Sequence, residues 1–145
     1  MLQDKTAGFI ESVTVDFGEG MSKTLLAKLD TGNGAKASHI EVGEYEVKND
    51  KVSFTIDGNS FEFDIKDYSH AKTGEQEHNR PIITIPELTL GLRKVKNVDM
   101  AIVKIRNKST NALINRDILS KLGYVVHPNS THILTKEMEK VKIIN

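Results

Sequence analysis

Residues 25–34 read LLAKLDTGNG. An apolar run of strand character stops abruptly at Asp30, Thr31 and Gly32, and the role of that aspartate decides how the rest of the chain is read. Asp-Thr-Gly after a strand makes an ordinary turn, because Asp accepts hydrogen bonds from the backbone two residues on and Gly takes positive φ freely. The same tripeptide can also be a loop that presents a carboxylate for chemistry. Working outward, Gly8 to Asp16 (GFIESVTVD) alternates, Phe17-Gly18-Glu19-Gly20 supplies a turn, and Lys23 to Leu29 supplies a second strand. The carboxylate is therefore expected at the end of a β-hairpin.

The same period of two runs through most of the chain. Val52 to Ile56 and Phe61 to Ile65 alternate on either side of Asp57-Gly58-Asn59-Ser60, and Asp-Gly between alternating apolar runs is a strong hairpin signal. Pro81 to Leu92 and Val95 to Ile105 resume the strand pattern around Gly91, with Pro86 pointing to an edge or a bulge. Tyr68 to Arg80 (YSHAKTGEQEHNR) has almost nothing to bury and carries Gly74 in its middle, so an exposed, mobile excursion is expected there. Arg116 to Leu122 (RDILSKL), stopped by Gly123, reads as a helix, and Tyr124 to His127 as a strand. The expected fold class is all-β: one domain over residues 1–145, mainly strand with one short helix, closed or nearly closed into a barrel.

Composition narrows the chemistry. A chain of 145 residues buries on the order of two-thirds of its unfolded surface, enough for one core. Lys plus Arg and Asp plus Glu number 20 each, so no overall field draws in nucleic acid or an anionic membrane, and neither is expected as a partner. There is no cysteine, which removes disulfides, thiolate metal sites and a cysteine nucleophile together. No apolar run approaches about 18 residues and Met1 to Lys5 lacks a signal-peptide core, so a cytoplasmic protein is expected, or a virion component if the chain is phage-encoded. His39, His70, His78, His127 and His132 show no His-Glu-x-x-His spacing, and neither Gly-rich phosphate loop is present. No metal and no cofactor is expected. Arg93-Lys94-x-Lys96 and Lys136 to Lys142 read as solvated faces.

The order of the parts carries more information than any one of them. An apolar strand, Asp-Thr-Gly, several β segments with a polar excursion, and then Ala112-Leu113-Ile114-Asn115-Arg116-Asp117-Ile118-Leu119 resemble the layout of a retropepsin-like aspartic protease. More narrowly, the chain resembles a bacterial and phage group catalogued as ATP-dependent zinc proteases, retropepsin-like proteins that sit beside ATP-grasp peptide ligases. The pattern of that group is matched at Ala27 to Gly32, Ser38, Arg80-Pro81 and Leu113 to Asp117. The resemblance implies an acid-protease barrel and an aspartic endopeptidase hydrolysing a peptide or isopeptide bond in an extended substrate. It makes Asp30 catalytic, Thr31 a brace across a two-fold axis, and Gly32 the residue that lets backbone approach water and substrate. Ser38, Asn115, Arg116 and Asp117 take supporting roles, with Arg116 bracing the loop through a salt bridge. Gly74 falls on a flap and Arg80 at the border of the cleft.

The mechanism itself needs two carboxylates across one water, one accepting its proton and the other polarising the scissile carbonyl. A chain with one Asp-Thr-Gly must therefore pair with a second copy, and a homodimer is expected. Simpler readings stand beside these: Arg116-Asp117 opening a helix can serve as a cap, with Asp117 favoured by the helix dipole. Two departures from the matched pattern bear on the loop. Asn33-Gly34 lengthens it by two residues before Ala35, and Asn115 stands where the pattern has glycine, adding a side chain that needs space and partners. The competing expectation is a catalytically inactive retropepsin-like binding or structural module, for example part of a viral particle or another large assembly.

Overall fold

A computed structural model of the chain describes residues 5–73, 76–105 and 109–136. Their elements are β1 (Thr6–Asp16), β2 (Ser22–Leu29), β3 (Ser38–Val42), β4 (Tyr45–Lys48), β5 (Lys51–Ile56), β6 (Asn59–Asp64), β7 (Asp67–Thr73), β8 (Gln76–Leu90), β9 (Arg93–Lys104), β10 (Ala112–Ile114), α1 (Arg116–Leu122) and β11 (Val125–Thr131). A helical turn not foreseen in the sequence follows at 133–136. One sheet runs β11-β1-β2-β10-β3-β9-β8-β7, with β1 also paired to β8, and β4-β5-β6 make a second sheet. The protein is thus mainly β, and no helix among the described residues is long and apolar enough to cross a membrane.

The local reasons are those of ordinary hairpins. β1 and β2 pair antiparallel from Ile10↔Lys28 to Asp16↔Ser22, and their alternate residues Val13, Val15, Leu25, Ala27 and Leu29 are buried. The second hairpin turns at Asp57 (φ 48°) and Gly58 (φ 82°), the two positive-φ positions of a type I′ turn; Asn59 and Ser60 belong to β6, not to the turn. Phe17 stacks on Phe61 at 4.4 Å and meets Phe54 and Phe63 edge-on or tilted, so these rings fasten the smaller sheet to the first hairpin's turn.

The polar excursion is a β-ribbon: β7 and β8 pair from Asp67↔Ile82 to Thr73↔Gln76. β8 then changes partner on that side, pairing with β1 from Glu87 to Leu90, while β9 runs along its other side. Pro86 marks a local edge, not an edge strand. It lies in the interval between the two partners, with pairs to β9 on both flanks, Ile85↔Val98 and Glu87↔Lys96, where its missing N–H is least needed. β10 is three residues long, yet it pairs parallel with β2 and antiparallel with β3. It thereby brings the start of α1 against the loop that follows β2.

Candidate active-site loop

Asp30 leaves β2 with its backbone N–H donated to the carbonyl of Ile114 (3.0 Å), the last residue of β10. The N–H of Asn33 returns to the carbonyl of Asp30 (3.2 Å), closing a turn with Thr31 and Gly32 at its corners. The N–H of Arg116 then reaches the carbonyl of Asn33 (3.0 Å). Two backbone bonds thus fix the loop to β10 and α1 on either side of its tip, and a third closes the turn between them. At the tip the Asp30 carboxylate is half-buried; its Oδ1 accepts from the Gly32 N–H at 3.1 Å, an Asx turn. Its second oxygen makes no hydrogen bond among the described residues. Thr31 and Gly32 are exposed. Gly32 does not have positive φ, and a Cβ built on it would meet only Asp30 Oδ1, at 3.6 Å. Nothing among the described residues requires glycine there.

Asn115 needed space and partners, and it has both. It is 2% exposed and serves as the N-cap of α1, its Oδ1 accepting from the Ile118 N–H (3.1 Å) and from the Ser38 hydroxyl (3.1 Å). Its Nδ2 donates to the Ala35 carbonyl (2.9 Å), and its backbone N–H donates to Ser38 Oγ (2.9 Å). One side chain therefore ties the helix, the start of β3 and the lengthened loop together. The cap of α1 is thus Asn115 and not the Arg116-Asp117 pair; Asp117 sits exposed in the first turn. Arg116 makes no ion pair among the described residues. Its guanidinium lies with its Nη2 end against Gly34, where a Cβ would fall 3.2 Å from Cζ and closer still to Nη2, so it braces the loop by contact. A side chain at position 34 would displace the end of the Arg116 side chain.

The remaining expected site residues are placed as follows. Ser38 is wholly buried in the Asn115 network. Arg80 lies half-buried on β8 opposite Ser69, on the ribbon rather than beside Asp30 in the pairing scheme. Gly74 lies outside the described residues, as does most of the Lys136 to Lys142 tail. Two features were missed in the sequence. Lys36, at the end of the loop, forms an ion pair with Asp67, the first residue of the ribbon, and this contact followed by the Tyr68 N–H lowers the Asp67 pKa below its ordinary 3.8. On β3, His39 and Glu41 form a buried pair, Nε2 to Oε1 3.7 Å; a polar-apolar alternation in which both faces are buried gives no sequence signal. Behind the loop is a cavity of about 110 Å3 bordered by Lys36, Ser38, Asn97, Asp99, Asn115 and Lys121, and Asp30 does not line it. Among the described residues no three His, Asp or Glu side chains converge as metal ligands would.

One carboxylate held this way can accept a proton from water or polarise a carbonyl, but a single group cannot do both in one step. No protein-family model matches the chain, and no curated protein matches it. Among solved structures, a Legionella pneumophila protein of unknown function (DUF785) is similar, with a TM-score of 0.66 and 22% sequence identity over 90% of this chain and 98% of that one. The likeness is one of fold.

Proposed function

We propose that the protein is a retropepsin-like aspartic peptidase that works as a homodimer, Asp30 of each chain activating one water for hydrolysis of a peptide or isopeptide bond. The observation that carries this reading is the Asp30 loop. Its base is pinned by backbone bonds to β10 and α1, while its tip exposes Thr31 and Gly32, and nothing among the described residues requires glycine at 32. A loop held firmly and presented outward suits contacts with something beyond the chain, here a second copy and a substrate. Two such carboxylates about 3 Å apart cannot both ionise, so they share one proton and supply acid and base from identical residues. The strand pairings support the matching barrel, since β1-β2-β10-β3-β9-β8 returns to β1. The β7–β8 ribbon is then the flap, closing over an extended substrate.

Hydrolysis of a peptide library tests the reading, with specific activity rising with protein concentration through the dimer dissociation constant. Asn at position 30 (Asp30→Asn) is expected to abolish hydrolysis with the fold intact; wild-type activity in that variant, or a monomer at every working concentration, contradicts the proposal. A second reading, an inactive binding or structural module, is favoured by the Asp30 to Gly32 bond, which an ordinary turn former also makes. On that reading Asp30→Asn changes stability by about 1 kcal/mol and nothing else.

A further inference from the structure

We propose that Asn33-Gly34 is a self-modifying site, at which the Asn33 side-chain amide cyclises onto the Gly34 backbone nitrogen and opens to aspartate or isoaspartate. The inference stands on the loop's geometry and is independent of whether the loop is catalytic.

Four observations converge on it. Gly34 is exposed and has no side chain to obstruct its nitrogen, and its N–H makes no hydrogen bond among the described residues. The Asn33 Oδ1 accepts the Ala35 N–H at 2.8 Å. That bond folds the side chain back along its own backbone, across Gly34. The Ala35 N–H is also aimed at the oxygen on which negative charge grows when Cγ is attacked. The Arg116 guanidinium lies against Gly34, and a fixed positive charge there favours both the deprotonated amide nitrogen and the oxyanion. Finally, the backbone of Asn33 is held at both ends, its N–H by the Asp30 carbonyl and its carbonyl by the Arg116 N–H, so the turn that carries the side chain is fixed in place.

The chemistry consumes only water. The deprotonated Gly34 nitrogen attacks Asn33 Cγ, a C–N bond forms, and the bond to the side-chain nitrogen breaks as ammonia leaves with the displaced proton. Water then opens the cyclic imide at one of its two carbonyls. One opening restores a normal backbone with aspartate at position 33; the other routes the chain through the side chain and lengthens the backbone by one methylene. Nothing is oxidised or reduced. Either product sets a new carboxylate near Arg116, three residues along the chain from Asp30. The iso form also shifts the link between the turn and α1.

The test ages the purified full-length protein in neutral to mildly alkaline buffer made with oxygen-18 water and follows each asparagine by peptide mass spectrometry. Asn33 is expected to lose its amide and gain labelled oxygen, with isoaspartate at that position, ahead of the exposed Asn49 and Asn129. Arg116→Gln is expected to slow the conversion by at least about tenfold, an order of magnitude below what one preorganised oxyanion donor contributes, while Arg116→Lys, which keeps the charge, retains most of the rate. Asn33 keeping its amide as long as Asn49 and Asn129 overturns the proposal. So does an unchanged rate in Arg116→Gln shown by its spectrum to be folded.

Discussion

Asn115→Ala is the substitution whose cost the structure lets one work out most fully. The N-cap bond to the Ile118 N–H is lost, and a cap of this kind contributes about 1 kcal/mol. The Ser38 hydroxyl, in a wholly buried residue, loses its acceptor, and a buried polar group left unpaired costs about 1–3 kcal/mol. The Ala35 carbonyl loses its donor as well, but Ala35 is exposed and water can replace Nδ2 there. The expected total is about 2–4 kcal/mol, a large part of the roughly 5–15 kcal/mol that holds a domain folded. Urea unfolding followed by circular dichroism reads it as a lowered midpoint at unchanged slope. Asn115→Asp keeps the acceptors for Ile118 and Ser38 and should cost less than Ala. A loss below about 0.5 kcal/mol for Ala, the range of ordinary surface changes, would refute the claim that this side chain holds the loop.

Three further outcomes are expected. Amide hydrogen exchange should be faster along the outer part of the ribbon, Ser69 to Thr73, than in Val52 to Ile56, because beyond Ile82↔Ala101 the ribbon has no third strand; equal protection in the unliganded protein contradicts this. In an NMR titration the Asp67 carboxyl should have its midpoint below the ordinary 3.8 and move back toward it in Lys36→Ala. Because the folded value is the lower one, the pair's contribution is present above the ordinary value and is lost as pH falls through the lowered one; an unmoved midpoint removes Lys36 as the cause. Gly58→Ala forces a side chain into a φ of 82° and should destabilise by about 1–2 kcal/mol, against no change if the turn can adopt another type.

Where one face of a strand is buried, the sequence was readable. β1, β2, β5 and α1 follow from alternation, the Asp57-Gly58 turn and the Gly123 stop, and α1 occupies the expected Arg116 to Leu122. The β7–β8 ribbon was not readable as strand because its residues are polar on both faces, so nothing in YSHAKTGEQEHNR alternates. β10 is too short to show a period and is defined only by its neighbours β2 and β3. The two departures in the loop explain each other only in three dimensions. Gly34 lies against the Arg116 guanidinium, and Asn115 bonds the Ala35 carbonyl that the longer loop brings to it. No spacing in the sequence connects residues 34 and 116.

The most direct measurement is the distance between the two Asp30 carboxyl groups in a crystal structure of the assembly the protein forms in solution. The account predicts a two-fold dimer with carboxyl oxygens about 3 Å apart and one water within reach of both. Carboxyl groups well beyond about 7 Å apart in every pair of chains could not be bridged by a single water, and the aspartic-peptidase mechanism would have to be abandoned whatever the fold.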